Sequence, residues 1–280
     1  MMIGVIGLGL IGGSMAKAIN GLKDHNVYGY DIDHTIVRKA VLVNAIEEEL
    51  TPEMIPLCDL LIIALYPKDA VAFVDKYADV IKKDAVIMDT CGVKRCVYDG
   101  IKPIVDTHDF WYIGGHPMAG IEHAGFDHAK KSLFRDASMI LLPMTGTPIE
   151  VVDRTKRLIE KIGFTSIQIA EPDEHDEVIA FTSQLAHVLS SAYIKSPTAL
   201  KHDGFSAGSY KDMTRVANLN EDMWTELFLE NPDNLADEID GLITRLGEYS
   251  LAIRENDEQA LHDLLKEGRE RKTLIDKECF

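Results

Sequence analysis

The chain has 280 residues, 46% of them hydrophobic and 27% charged, a globular composition with length for one large domain or two modest ones. Twenty-nine Lys and Arg against 46 Asp and Glu leave a net charge of −17, so nucleic-acid phosphates and anionic membrane surfaces are repelled. Cys58, Cys91, Cys96 and Cys279 form no CxxC pair and read as reduced thiols of a cytoplasmic protein, and apolar runs fall short of the ~18 residues a membrane span needs.

The opening MMIGVIGLGLIGGSMA is uncharged and glycine-rich, without the basic start of a signal peptide. It reads instead as a strand, Ile3–Ile6, then the GxGxxG of Gly7-Leu8-Gly9-Leu10-Ile11-Gly12, then a helix from Ser14 to Ile19. Each glycine has a mechanical reason: Gly7 for the tight turn, Gly9 for close approach of backbone to a pyrophosphate, Gly12 for helix–strand packing. The helix amino terminus adds unpaired N–H groups and the positive end of its dipole. A second strand, Val27–Tyr30, ends in YDID and sets Asp31 nineteen residues after Gly12. A carboxylate there accepts from ribose hydroxyls and repels a 2′-phosphate, which favours NAD over NADP. Arg38 is too far along to serve such a phosphate.

Leu60–Leu65 is the next strand, ending at Leu65-Tyr66-Pro67 on the edge where this fold binds its cofactor. Helical period follows over Ala70–Ile81, then strands at Ala85–Met88, Trp111–Gly114 and Met139–Leu142, and a helix over Ile149–Ile162. Several strands are apolar at consecutive positions, as strands covered on both faces are, so the expectation is right-handed βαβ units and a mostly parallel, Rossmann-type sheet. Near 165–172 the pattern changes. Beyond Pro172 the chain reads as helical, and the expected domains are 1–168, a dinucleotide-binding domain, and 169–280, an all-helical one. Phe181, Leu185, Val188 and Ala192 repeat at helical spacing. Residues 221–240 carry eight acidic and no basic side chains, most simply a solvated face. Leu235, Ile239, Leu242 and Leu246 form a later stripe that closes a core or pairs two copies.

A nicotinamide oxidoreductase needs a base for a hydroxyl proton while hydride leaves the same carbon. Among ten histidines, His116 has the special setting: Gly114 and Gly115 before it and Pro117 after it suggest an exposed turn at a strand's carboxyl end, where open α/β sheets bind ligands. His187 shares a polar helical stripe with Gln184 and Ser191, and Arg215 can grip a carboxylate bidentately. On composition alone each has a bland alternative: a loop histidine, a satisfied interhelical histidine, an ion-paired arginine. His116, His123 and His128 lack ligand spacing, so no metal is expected. Cys91 and Cys96 read as structural thiols.

Taken together, GLGLIGGS at the start, GVK at 92–94, HPMAG at 116–120, KKSLF at 130–134, TSQLAHVLSSA at 182–192 and DMTRVA at 212–217 resemble, in order, the prephenate dehydrogenase family, which includes arogenate and cyclohexadienyl dehydrogenases. The resemblance implies a Rossmann domain, an all-helical dimerisation domain with a likeness to homodimers, and a site between them. It implies NAD(P)-dependent oxidative decarboxylation of prephenate to 4-hydroxyphenylpyruvate in tyrosine biosynthesis. By the same resemblance His116 draws off the ring hydroxyl proton, Arg215 binds a carboxylate of the dianion, and His187 and Lys94 position it. Thr90 and Gly92 then lie beside the nicotinamide. Gly92 departs from the family, which often has Ser before the VK pair, so Thr90 or a water has to supply that hydroxyl. The chain ends too soon after the helices for a fused mutase or regulatory domain. Three other readings differ in their tests: arogenate as substrate, a non-catalytic NAD sensor, and a β-hydroxyacid dehydrogenase, whose lysine-centred helical site finds only a weak candidate in Lys195.

Overall fold

The computed structural model describes residues 1–121 and 123–279. The first half alternates strand and helix: β1 (Met2–Ile6), α1 (Leu10–Asn20), β2 (Asn26–Tyr30), α2 (His34–Leu42), β3 (Glu48–Glu49), β4 (Leu60–Ile63), α3 (Pro67–Tyr77), β5 (Val86–Asp89), α4 (Arg95–Val105), β6 (Trp111–Met118), β7 (Ser138–Pro143), α5 (Ile149–Lys161) and β8 (Ser166–Ile169). The strands form one sheet in the order β3-β2-β1-β4-β5-β6-β7-β8. Its pairings are parallel except β6 with β7, the mostly parallel sheet expected from the sequence.

Both faces of the sheet are covered, and period-2 alternation sorts the side chains. Ile3, Val5, Leu60, Ile62, Val86, Met88, Met139 and Leu141 point to one face, where α1 contributes Met15 and Ile19, α2 Val37 and α5 Leu158 and Ile159. Ile6, Leu61, Ile63, Ile87 and Tyr112 point to the other, against Ala70 and Val74 of α3 and Val97 and Ile101 of α4. Two strands lay below the sequence signal. β3 is two residues long, and β8 is half polar at the sheet edge, so neither presents an apolar run.

From Pro172 the chain is helical: α6 (Pro172–Ile179), a π-helical turn (Ala180–Leu185), α7 (Ala186–Ile194), α8 (Gly208–Thr214), α9 (Glu221–Leu229), α10 (Pro232–Glu255) and α11 (Glu258–Cys279). Pro172 opens α6 with Asp173 and Glu174 in its first turn, where the missing N–H costs nothing and the dipole favours acids. The expected Phe181–Ala192 stripe is broken: Leu185 is buried but Phe181 and Ala192 are exposed. The π-helical turn is the reason. One extra residue in a turn rotates everything after it by about 100° against an uninterrupted α-helix. The later stripe also divides, with Leu235 buried and Leu246 exposed.

The acidic stretch over 221–240 is more than a solvated face. Asp233 binds Arg95 at the start of α4, Glu230 pairs with Lys68 of α3 at 3.0 Å, and Glu226 accepts from the Lys68 amide. The helical half is fastened by these carboxylates to the side of the sheet that carries α3 and α4.

Candidate active site

The glycine loop joins β1 to α1. Gly7 takes φ +84°, and a Cβ there would stand 2.3 Å from the Ala64 carbonyl oxygen, so only glycine makes this turn. A Cβ on Gly12 would lie 1.9 Å from the Gly7 oxygen, which keeps α1 tight against the strand. Gly9 is different: nothing stands within 4 Å of where its Cβ would be. It opens the start of α1, whose N-cap is Gly9, with no side-chain cap and no acid in the first turn. Free N–H groups, a positive dipole end and an absent side chain fit a dinucleotide pyrophosphate. Asp31 lies at the end of β2 and accepts from the Leu8 amide at 2.9 Å and the Asp33 amide at 3.0 Å. Its carboxylate therefore pins the loop, with acceptor capacity left for hydroxyls. Leu8 is buried in the core and offers the loop only its backbone, whereas Leu10, Ile11 and Leu65 are half-buried and Tyr66 is exposed.

His116 sits within β6, and here the turn expected around it gives way. The strand runs on through Met118, with His116 opposite Ile140 of β7. The paired glycines allow packing instead: a Cβ on Gly115 would meet the Asp89 carbonyl oxygen at 2.6 Å. Pairing of β6 with β5 stops at Ile113, so His116 rises above the carboxyl end of β5, on the edge where this sheet class takes ligands. Its Nδ1 is 2.8 Å from Nε2 of His175, and His175 Nδ1 is 2.7 Å from Oδ1 of Asp176. Burial first, then His175 and the Lys94 ammonium, hold His116 well below the usual imidazole range, so the ring is neutral near pH 7. Burial also lowers His175, with Asp176 opposing it.

Gly92 faces this histidine. A Cβ on it would lie 3.9 Å from His116 Nε2 and 3.7 Å from Leu227 of α9, so the position has room for a small side chain. Thr90 is half-buried two residues earlier. Lys94 departs from its expected substrate contact. Its side chain is 1% exposed, and its ammonium is ion-paired with the fully buried Asp89, which also accepts from Tyr112 OH at 2.6 Å and the Cys91 amide at 2.8 Å. A lysine so enclosed balances a buried carboxylate and lends its field to His116 from behind.

The helical half supplies the remaining candidates. His187 on α7 is held by the Ser183 carbonyl at 2.8 Å and packs against Trp224 of α9, ring centroids 3.9 Å apart and planes tilted by 30°. Burial lowers its pKa first, and the Arg215 guanidinium near it lowers it further. Arg215 follows α8 and is exposed. Gly92 thus lies between His116 and Leu227 of α9, the helix that also carries Trp224 against His187. Sequence reasoning missed His175, Asp176 and the fully buried Asn231. The last donates to the Asp176 carbonyl at 2.8 Å and Gln184 Oε1 at 2.9 Å while accepting from Arg95 at 2.8 Å. An HD pair inside the acidic run EPDEHDE has no distinguishing spacing; only a burial period placing both on the inner face would have raised it.

The nucleotide-binding domain model of prephenate dehydrogenase matches residues 15–168, and the dimerization domain model of the same enzyme matches residues 171–267. The chain belongs to the prephenate dehydrogenase family. It is therefore an oxidoreductase. A cyclohexadienyl dehydrogenase of Zymomonas mobilis is 30% identical, the match covering 98% of this chain and 95% of that protein. A prephenate dehydrogenase of Bacillus subtilis is 26% identical over 94% of this chain and 73% of its own length. The prephenate dehydrogenase of Aquifex aeolicus, solved with hydroxyphenyl propionate and NAD+, superposes with a TM-score of 0.86 at 27% identity, covering 98% of each chain.

Within this family member, the thiols near the site stay protonated at neutral pH. Burial pushes Cys96 up to about 12 and Cys91 well above the ordinary thiol value. Cys58 is also free and buried, and the Cys279 side chain lies outside the described residues. Among the described residues no group of three His, Cys, Asp or Glu can hold a metal, and no helix is long and apolar enough to cross a membrane.

Proposed function

We propose that this chain oxidises prephenate, releasing carbon dioxide and 4-hydroxyphenylpyruvate, with arogenate as the alternative substrate. The observation that carries the reading is the position of His116: an imidazole on the carboxyl rim of the sheet with its Nε2 beside Gly92, in a chain of this family. NAD supplies the hydride acceptor when bound. The backbone of Gly7, Leu8, Gly9, Leu10, Ile11 and Gly12 holds its pyrophosphate, and Asp31 receives its ribose hydroxyls and repels a 2′-phosphate. Leu65, Tyr66, Thr90 and Gly92 line its course. His116 accepts the ring hydroxyl proton at Nε2 as hydride leaves the same carbon. The dianion requires cationic neutralisation in a chain of net charge −17. Arg215 meets one carboxylate and His187 orients the ring.

The reading extends to the whole chain. Residues 1–168 carry the cofactor and 169–280 the substrate groups and a homodimer interface, in keeping with apolar residues exposed on α10 such as Ile243, Leu246 and Ile253. Free buried thiols fit a cytoplasmic setting. The test is a paired rate measurement on prephenate and arogenate, each with NAD and NADP, read as reduced-cofactor absorbance. Prephenate with NAD gives the highest kcat/KM. Reduced cofactor from neither acid overturns the proposal.

A further inference from the structure

Three separate segments converge behind His116, and their hydrogen bonds have a fixed polarity. Asp176 Oδ1 accepts from the Lys94 amide at 2.8 Å, and Oδ2 accepts from the Arg95 amide at 2.9 Å. These are the first N–H groups of α4, so the carboxylate is seated on a helix amino terminus, where dipole and donors favour its charge. The Asn231 amide holds the Asp176 carbonyl from the other side. A carboxylate in that seat only accepts, so His175 Nδ1, 2.7 Å from Oδ1, carries a proton. A neutral His175 then presents an unprotonated Nε2, and the 2.8 Å contact to His116 Nδ1 requires His116 to be the donor. The lone pair of His116 is left at Nε2, the atom facing Gly92.

We propose that His175 and Asp176 are positioning residues that fix His116 in its Nδ1–H tautomer and so aim its free lone pair at the substrate. This rests on the reading of His116 as the base. The arrangement suits a base because the same contact serves both of its states. After His116 takes a proton on Nε2, its Nδ1–H still donates to His175, and nothing behind the ring has to turn. It also ties the base to the docking of the two halves of the chain. Asp176 belongs to α6, while the amides it caps belong to α4 and His116 to β6. His116 keeps its tautomer only while α6 is seated.

The experiment has two independent arms. In protein labelled with 15N-histidine, without substrate at neutral pH, His116 is expected to show a pyrrole-type Nδ1 and a pyridine-type Nε2, its signals assigned by their loss in His116→Asn. A protonated Nε2 overturns the proposal whether or not the enzyme turns over prephenate. In the kinetic arm, His175→Leu removes the acceptor, and kcat falls about 10²-fold with KM for the acid and NAD within about threefold. His175→Gln, whose carbonyl can accept from Nδ1–H, restores most of that loss. An unchanged kcat in His175→Leu, or kcat and KM worsening together without rescue by Gln, contradicts it. If neither prephenate nor arogenate is oxidised by the wild type, the functional reading fails while the NMR arm still decides the tautomer.

Discussion

Three causes hold the His116 pKa low: burial first, then His175 at its Nδ1 and the Lys94 ammonium. Lys94 thus acts on His116 through its charge while its ammonium is paired with Asp89. Its removal leaves the Asp89 carboxylate buried without its cation, so Lys94→Ala is predicted to cost about 3–5 kcal/mol in denaturant unfolding. A loss below about 1 kcal/mol means the ion pair with Asp89 is not what holds Lys94. Gly92 invites a second substitution. Its surroundings leave 3.7–3.9 Å around an added Cβ, so Gly92→Ser is predicted to fold within about 0.5 kcal/mol of wild type and to keep turnover. Gly92→Leu fills the space between His116 and Leu227 and abolishes turnover at similar stability. Equal activity in both variants means the space beside His116 Nε2 is not where the substrate sits.

The glycine loop separates packing from binding at the scale of one strand–turn–helix unit. Gly12→Ala drives a methyl into the Gly7 carbonyl and destabilises the fold. Gly9→Ala meets nothing within 4 Å, so its melting temperature without ligand stays within about 2 °C while NAD affinity, measured by calorimetry, falls at least about tenfold. Unchanged affinity would move the cofactor elsewhere. This unit was legible in the sequence because each glycine answers a local constraint. So were the long central strands, whose apolar runs follow from burial on both faces. The His116 turn was misread, since glycines that look like a bend serve close packing against Asp89. The Phe181–Ala192 stripe failed at the π-helical turn, and His175 and Asp176 were invisible because their meaning depends on where α4 begins. Sequence periodicity reports faces of single elements; a carboxylate capping another element's amides is a tertiary fact.

Over the whole molecule, the junction between sheet and helices is polar and buried. Asn231 is its centre, and Asn231→Ala leaves the Asp176 carbonyl and Gln184 Oε1 without their donor, a predicted cost of about 2–4 kcal/mol seen as a lower denaturant midpoint with unchanged slope. The same junction makes stability depend on pH. His116, His175 and His187 have folded pKa values below the unfolded value near 6.5, with His108 shifted the other way. Below pH 6.5 the unfolded chain binds more protons than the folded one, so stability is full above that pH and declines as pH falls towards 5, by up to about 1.4 kcal/mol per unit for each suppressed protonation. A denaturant midpoint equal at pH 7.5 and 5.5 contradicts this. The likeness to prephenate and cyclohexadienyl dehydrogenases runs the length of the chain, and the choice between the two acids belongs to the side chains that meet their keto or amino group.

The most direct measurement is the pH profile of kcat with prephenate and NAD, for the wild type and His116→Asn. A base must be unprotonated to work, so rate falls as pH drops through its pKa. Because His116 is held below the usual range, kcat is expected to stay level from pH 7.5 through 6.5 and to fall along an acid limb below that, with a loss of about 10²-fold or more in His116→Asn and the acid limb gone. A variant with wild-type kcat and an unchanged acid limb would contradict it.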